Sequence, residues 1–160
     1  MTTENNEKLS LLDDVALKAQ MLMANLKEGA NDGYDHSVTS AGEKGLKSGK
    51  VSELTAIAPL TKDGAARIKR ILEITKGNLA GATNVGTLHD LRLVFLDNDT
   101  KLLFCTAYDG DWDAYINDFA TKIPELMDLL FGNVEGWPGI KSPTVKQFIL
   151  DHQITATGWY

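Results

Sequence analysis

The sequence predicts an α+β fold in which one antiparallel sheet carries two helices on one face. From Glu53 onwards, apolar residues follow strand or helix spacing in the order strand, helix, strand, strand, helix, strand. The two central strands are separated by a short run of turn-forming residues. This order is the split βαβ pattern of a ferredoxin-like, four-stranded antiparallel sheet. The predicted domain covers residues 51–160 and follows an N-terminal region of different composition.

A helix and a flexible linker are predicted for residues 1–50. Apolar residues recur at helical spacing over Leu9–Leu26, and Ser10 with Asp13 can form a capping box at its start. The next segment, residues 30–50, is rich in Gly, Ser, Asp and Lys and poor in aliphatic residues. Such a composition is typical of a linker or a mobile loop.

The domain begins with a strand, a helix and a loop. Glu53–Pro59 is a short apolar run that predicts a strand, and residues 63–75 carry aliphatic residues at helical spacing. The stretch between Gly77 and Gly86 is rich in small residues and is predicted to be a loop.

A β-hairpin is predicted next, from Leu88–Leu96 and Lys101–Tyr108 around the turn at residues 97–100. Strand alternation divides the first of these strands into two rows. One row is His89, Leu91, Leu93 and Phe95, and the other is Leu88, Asp90, Arg92, Val94 and Leu96. Neither row is polar enough to face water, so we expect either a homodimer through the sheets or cover from the N-terminal helix.

The last part of the domain is predicted to be mainly helical. Residues 112–131 have helical spacing, and Pro124 is expected to bend this helix or split it in two. After a loop over residues 132–143, we expect a short helix over residues 144–151 and a final strand over residues 154–160.

Composition excludes several classes of function. The formal net charge of -6 disfavours nucleic acid as a partner, because phosphate binding needs clustered basic residues. One cysteine allows no internal disulfide, and three histidines without metal-ligand spacing predict no metal site. The N-terminus is polar and acidic, unlike a secretory signal, and no apolar run could span a membrane. We therefore expect a cytoplasmic protein that does not associate with membranes.

Three motifs in the predicted domain resemble a known family. GTLHDLRLVFLD, LLFCTAYDGDWDAYINDF and FGNVEGWPG occur in this order. They resemble a peroxidase-associated domain family of the dimeric α/β-barrel superfamily, distantly related to dye-decolourising peroxidases and chlorite dismutases. The resemblance covers residues 53–160. It implies a face-to-face homodimer and haem as a candidate cofactor, with His89 as a candidate haem ligand.

The sequence departs from the peroxidase pattern at two points. Dye-decolourising peroxidases have a distal Asp in a Gly-x-x-Asp-Gly motif, of which Asp109 and Gly110 keep the last two positions while Thr106 replaces the first Gly. These peroxidases also take a proximal His from a second ferredoxin-like half, whereas this chain has one such half. Likeness of fold does not by itself carry function.

Asp109 and Tyr108, at the end of a predicted strand, are the first candidates for chemistry. Asp109 precedes Gly110, so its carboxylate either ties a sharp turn to backbone amides or acts as a desolvated proton acceptor. Glu135, which also precedes a Gly, could face the same end of the sheet and form a paired-acid site with Asp109.

Arg92 and His89 are the remaining candidates. Arg92 can form an ion pair with Asp90 on the same strand face, at a dimer interface, or it can hold an anion or polarise a peroxide. His89 is either a hydrogen-bonded structural residue or a haem ligand. Because His89 and Arg92 lie three apart in a strand, we expect them on opposite faces.

Three functions remain open from the sequence. The first is a small peroxidase-related oxidoreductase or accessory domain whose small-molecule pocket, at one end of the sheet, is lined by Arg92, Tyr108, Asp109 and His89. The second is a non-catalytic ligand-binding or assembly module that acts through its apolar sheet face. The third is a cofactor-free, Asp-dependent lyase or isomerase.

Overall fold

A computed structural model describes residues 10–28 and 37–159, and the chain divides into two compact units, residues 1–35 and 36–160. The first unit contains helix α1, Leu11–Glu28. Ser10 Oγ accepts the N–H of Asp13 at 3.2 Å and donates to its Oδ2 at 2.6 Å. The predicted cap is thus confirmed, because Ser10 pairs one of the free N–H groups at the start of the helix.

The second unit is an α+β domain built around an antiparallel sheet, which confirms the α+β part of the predicted fold class. A short 3₁₀ turn over Ala80–Asn84 lies in the predicted loop between Gly77 and Gly86. The elements are β1 (Val38–Ala41), β2 (Gly45–Ser48), β3 (Val51–Pro59), α2 (Gly64–Ile74), β4 (Leu88–Leu96), β5 (Lys101–Asp109), α3 (Trp112–Lys122), α4 (Pro124–Phe131), α5 (Val145–His152) and β6 (Gln153–Ile154).

The predicted linker was wrong for residues 37–50, which form the hairpin of β1 and β2 and enter β3. Gly42 and Gly49 have φ of 67° and 59°, and these left-handed residues reverse the chain at the two turns. β2 pairs with the start of β3 through Ser48 and Val51. The glycines that suggested flexibility therefore serve as turn residues, while residues 30–36 lie outside the described part of the chain.

The sheet has the order β1-β2-β3-β5-β4, and β6 pairs with β3 beyond the end of β2. One edge of β3 is thus shared by β2 and β6, whereas its other edge pairs with β5 along its whole length. The predicted final strand, residues 154–160, is reduced to Gln153–Ile154. The sheet contains two more strands than the sequence predicted, because the hairpin adds to it.

The predicted helix over residues 112–131 is two helices, divided at Pro124. α3 ends at Lys122, Ile123 lies between the helices with φ of −139°, and Pro124 is the first residue of α4. Proline fits the first position of a helix because its missing N–H would have no intrahelical partner there. The alternative of a split at Pro124 is confirmed.

The two faces of the sheet have different environments. We call the face that packs against the helices the inner face and the other the open face. In the described part of the chain, both clusters of buried apolar residues take their strand residues from the inner face alone. Inner-face residues are Leu54, Ala56, Ala58, Leu88, Leu91, Leu93, Phe95, Leu102, Phe104, Thr106 and Tyr108, and open-face residues include Ile57, Asp90, Arg92, Val94, Leu103, Ala107, Asp109 and Ile154.

A β-bulge at His89 changes the predicted rows of β4. Leu88 pairs with Tyr108, but the next pair is Asp90 with Ala107, so His89 is an extra residue in the ladder. An extra residue shifts the alternation by one position. Leu88 therefore joins Leu91 on the inner face, and His89 and Arg92 share the open face. The expectation of opposite faces was wrong because the bulge cannot be seen in the spacing of apolar residues.

Candidate functional site

His89 and Asp109 form a close pair on the open face, where the bulge of β4 meets the end of β5. His89 Nε2 lies 2.8 Å from Asp109 Oδ1, and both side chains are about half exposed. The neighbouring turn is held by other groups, since Gly110 N–H donates to the Lys50 carbonyl at 3.1 Å and Ser52 Oγ donates to the Gly110 carbonyl at 2.8 Å. The Asp109 carboxylate is therefore directed to His89, not to the backbone of the turn.

Arg92 forms an ion pair with Asp90, as predicted, but the pair is exposed and lies within one strand, and its place at a dimer interface stays a prediction. Arg92 Nε donates to Asp90 Oδ2 at 2.7 Å within the same strand. Both side chains are exposed to a large extent, so this pair contributes at most about 1 kcal/mol to stability. Two acid–base pairs, His89–Asp109 and Asp90–Arg92, thus lie on one face near one end of the sheet.

Tyr108 does not share a pocket with Asp109 and Arg92. It lies on the inner face, fully buried, with its ring stacked on that of Tyr115 at 3.8 Å and an interplanar angle of 2°. Consecutive strand residues point to opposite faces, so Tyr108 is directed away from Asp109. The predicted pocket lined by both residues is wrong for this reason.

Burial raises the pKa of the Tyr108 hydroxyl above its ordinary value, and the nearby carboxylates of Glu53 and Asp111 raise it further. Ser52 lies close enough to oppose this shift, but its Oγ donates to Gly110, and the Tyr108 hydroxyl has no hydrogen-bond partner among the described residues. Burial also raises the pKa of Tyr115, partly offset by the hydrogen bond between its hydroxyl and Thr106 Oγ1 at 2.5 Å.

Glu135 lies at the opposite end of the sheet from Asp109. Its backbone N–H donates to the Pro59 carbonyl at 2.9 Å, and Pro59 is the last residue of β3. Asp109 pairs with Val51, the first residue of β3. Eight residue steps separate these ends, or about 26 Å at the usual rise of a strand. The predicted pairing of Glu135 with Asp109 as a two-acid site is therefore wrong.

Sequence reasoning missed a buried carboxylate at the point where β2 leaves β3. Glu53 is 4% exposed; its Oε1 accepts the N–H of Leu46 at 2.9 Å and its Oε2 accepts the Thr55 hydroxyl at 2.8 Å. Gln153 of β6 is also buried, and its Oε1 accepts Trp112 Nε1 at 3.1 Å. An acidic residue at the start of the apolar run Glu53–Pro59 was the signal that could have indicated this role.

A small apolar cavity lies between the inner face and the helices. Its volume is about 50 Å³, and its lining includes Ala56, Ala58, Met127 and His152. Cofactor pockets usually have volumes of about 300–1,000 Å³. Haem does not fit this cavity, and His89, the predicted ligand, does not line it. In the described residues, no group of three or more His, Cys, Asp or Glu side chains is arranged to hold a metal ion.

Comparisons with protein-family models, with curated proteins and with solved structures give no match for this chain. Among the helices that the structure describes, none combines the length and the apolar character needed to cross a membrane.

Proposed function

We propose that this chain is an assembly module that forms a homodimer through the open face of its sheet, in the manner of a ferredoxin-like dimeric α/β barrel. The observation that carries this proposal is the one-sided core. In the described residues, both buried apolar clusters use inner-face strand residues alone, which leaves the open-face apolar residues outside the core. Burying such a face against a second copy is favourable by about 25 cal/mol per Å² of apolar surface removed from water.

The order of the strands supports the ferredoxin-like part of the proposal. β6, β3, β5 and β4 lie side by side in this order and are antiparallel to their neighbours. Helix α2 connects β3 to β4, and helices α3 to α5 connect β5 to β6. Two strand–helix–strand units interleaved in this way correspond to the split βαβ pattern, with β1 and β2 as an addition to it.

The state of assembly can be tested by placing a charge on the open face. Ile154→Asp adds a carboxylate to a residue that is 46% exposed on the open face, and Leu129→Asp adds one to a residue that is 53% exposed on α4. Light scattering should give twice the 17.5 kDa chain mass for the wild type and for Leu129→Asp, and the chain mass for Ile154→Asp. A wild-type protein of 17.5 kDa at high concentration would refute the dimer.

The His89–Asp109 pair supports a second candidate function, cofactor-free acid–base catalysis by a lyase or isomerase. A carboxylate that accepts a hydrogen bond from one imidazole nitrogen leaves the other nitrogen able to take a proton from a substrate. Both side chains are half exposed, so that a substrate can reach them. Arg92 on the same face could hold an anionic substrate group, although it is already paired with Asp90.

A general proton-transfer substrate tests this candidate without knowledge of the natural substrate. Ring opening of 5-nitrobenzisoxazole needs one base, and the wild type should accelerate it more than an equal concentration of free imidazole. His89→Ala should remove the excess rate, and Asp109→Asn should lower it on the order of 10-fold. Asp113→Asn, at an exposed carboxylate of α3, is the matched control and should leave the rate unchanged. An unchanged rate in His89→Ala would exclude this site.

The peroxidase-related function rests on the sequence resemblance, since the inner cavity is too small for haem and His89 does not line it. Titration with haemin is the direct test. A Soret band that shifts on binding and changes in His89→Ala would support this function and would place the cofactor outside the inner cavity. The same spectrum for haemin with and without protein would exclude it.

A further inference from the structure

Helix α1 has apolar residues at the spacing of a coiled-coil contact. Five of them follow one another at alternating intervals of three and four positions: Leu12, Val15, Ala19, Leu22 and Leu26. We call these five residues the α1 seam. The alternation is that of the a and d positions of a heptad, where the side chains of one helix pack between those of another.

The α1 seam is exposed to solvent. Its four large side chains are between 57% and 82% exposed. Removing leucine and valine side chains from water is favourable, and a helix of 18 residues gains most of its stability by packing an apolar face. The seam therefore predicts a partner that lies along α1.

The charges of α1 favour a second copy of this chain over a lipid surface as that partner. The helix carries a net charge of -1 from two basic and three acidic residues, which are Lys18, Lys27, Asp13, Asp14 and Glu28. It contains no aromatic residue. Helices that lie on membranes usually have a basic polar face that meets anionic headgroups and aromatic residues on the other face. α1 has neither of these features.

The distribution of charge also favours one orientation of two paired helices. Asp13 and Asp14 lie in the first turn of α1, and Lys27 lies in the last turn. In an antiparallel pair, the acidic start of each helix lies beside the basic end of the other, and the two helix dipoles are opposed. A parallel pair would instead place the acidic starts of both copies side by side.

We propose that the α1 helices of two copies of this chain pair antiparallel along the α1 seam. This inference rests on the proposed homodimer, because the seam covers about two heptads, and a coiled coil usually needs about three to four. A dimer that forms through the open face holds two copies together and raises the effective concentration of one α1 for the other. A helix contact that is weak by itself then becomes sufficient.

Two charge substitutions on α1 test the pairing. Leu22→Asp places a carboxylate in the seam, whereas Leu17→Asp places one outside the seam at a residue that is 48% exposed. Light scattering of the full chain over a dilution series should give a dimer dissociation constant for Leu22→Asp on the order of 10-fold above that of the wild type. Leu17→Asp should leave the constant unchanged. Equal constants for the wild type and both variants would refute the pairing of α1.

The same measurements separate this inference from the proposed assembly. A wild-type mass of 17.5 kDa would refute the homodimer and the helix pair with it. A dimeric wild type with equal constants for Leu17→Asp and Leu22→Asp would refute the helix pair alone. If Ile154→Asp stayed dimeric while Leu22→Asp became monomeric, α1 would hold the dimer and the open-face contact would be refuted.

Cysteine crosslinking tests the contact and its orientation directly. Cys105→Ser removes the single native cysteine and serves as the background. Ala19→Cys, at the middle of the seam, should give a covalent dimer on mild oxidation, and Ala24→Cys, outside the seam, is the matched control that should remain a single chain. Leu26→Cys should also remain a single chain, because antiparallel pairing separates the two copies of this residue by about 20 Å, and a disulfide needs Cα atoms within about 7 Å.

Each crosslinking result bears on one part of the proposal. No covalent dimer in Ala19→Cys, or an equal yield in Ala24→Cys, would refute pairing along the seam. A yield in Leu26→Cys as high as in Ala19→Cys would show a parallel pair and refute the antiparallel orientation.

Discussion

His89 Nε2 and Asp109 Oδ1 lie 2.8 Å apart across the two strands of the central hairpin. The contact depends on the bulge that makes His89 an extra residue between Leu88 and Asp90. It gives the Asp109 carboxylate a partner that is separate from the turn at Gly110. The roles of Asp109 and Gly110 in stability can therefore be measured independently.

Gly110→Ala should destabilise the protein more than Asp109→Asn. Gly110 has φ of 93°, which an L side chain rarely adopts, and nothing lies near the added methyl, so the cost is backbone strain of about 1–2 kcal/mol. Asp109→Asn weakens a half-exposed pair and should cost less than about 1 kcal/mol. Urea unfolding measures both values. A larger loss in Asp109→Asn would show that the carboxylate holds the turn.

The hairpin of β1 and β2 should depend on Gly42 more than on Gly49. Both residues have positive φ, but a Cβ at Gly42 would lie 3.0 Å from Trp112 Cγ, whereas one at Gly49 would meet nothing. Gly49→Ala should therefore cost about 1 kcal/mol through backbone strain, and Gly42→Ala should cost at least about 1 kcal/mol more. Thermal unfolding monitored by tryptophan fluorescence compares the two. Equal losses would mean that the hairpin does not pack against Trp112.

Glu53 should be important for stability although it lies outside the candidate catalytic pair. Glu53→Ala removes the acceptor of the Leu46 N–H and should cost about 1–3 kcal/mol, because a partly buried donor is left unpaired. Glu53→Gln keeps a carbonyl oxygen for this N–H and should cost less than half as much. Chemical denaturation provides the values, and similar losses in both variants would show that the carboxylate charge matters more than the hydrogen bond.

Tyr108 and Tyr115 should make the protein sensitive to alkali. Burial raises the pKa of both hydroxyls in the folded state above the value of about 10 for an exposed tyrosine. Above about pH 10 the unfolded chain therefore loses protons that the folded chain retains, and the free energy of unfolding falls as the pH rises. Below about pH 10 both hydroxyls are protonated in the folded and the unfolded chain, so they do not change the free energy of unfolding with pH.

Absorbance at 295 nm during an alkaline titration measures this effect. Two of the four tyrosines in the sequence, Tyr108 and Tyr115, should ionise only when the protein unfolds. Tyr108→Phe and Tyr115→Phe should each remove one late-ionising group. Ionisation of all tyrosines before the loss of secondary structure would contradict the burial of this stacked pair.

Local spacing predicted the helices and strands whose apolar residues repeat without interruption. β4 begins and ends at the predicted residues, Leu88 and Leu96. The helical region over residues 112–131 is divided at Pro124, because proline has no N–H to donate within a helix. The Asp90–Arg92 pair was also predicted, because residues two apart in a regular strand share a face. These features depend on the residue types themselves and on contacts between close neighbours in the sequence.

The sequence by itself determined the α+β class and most element positions, since hydrophobic periodicity is a local property. The tertiary structure alone decided the β1–β2 hairpin, the bulge at His89 and the separation of Glu135 from Asp109. Each of these depends on how distant strands align, and a register shift of one residue exchanges the faces of a strand. For this reason the candidate residues were found in the sequence, but their grouping into His89–Asp109 and Asp90–Arg92, with Tyr108 on the other face, required the folded sheet.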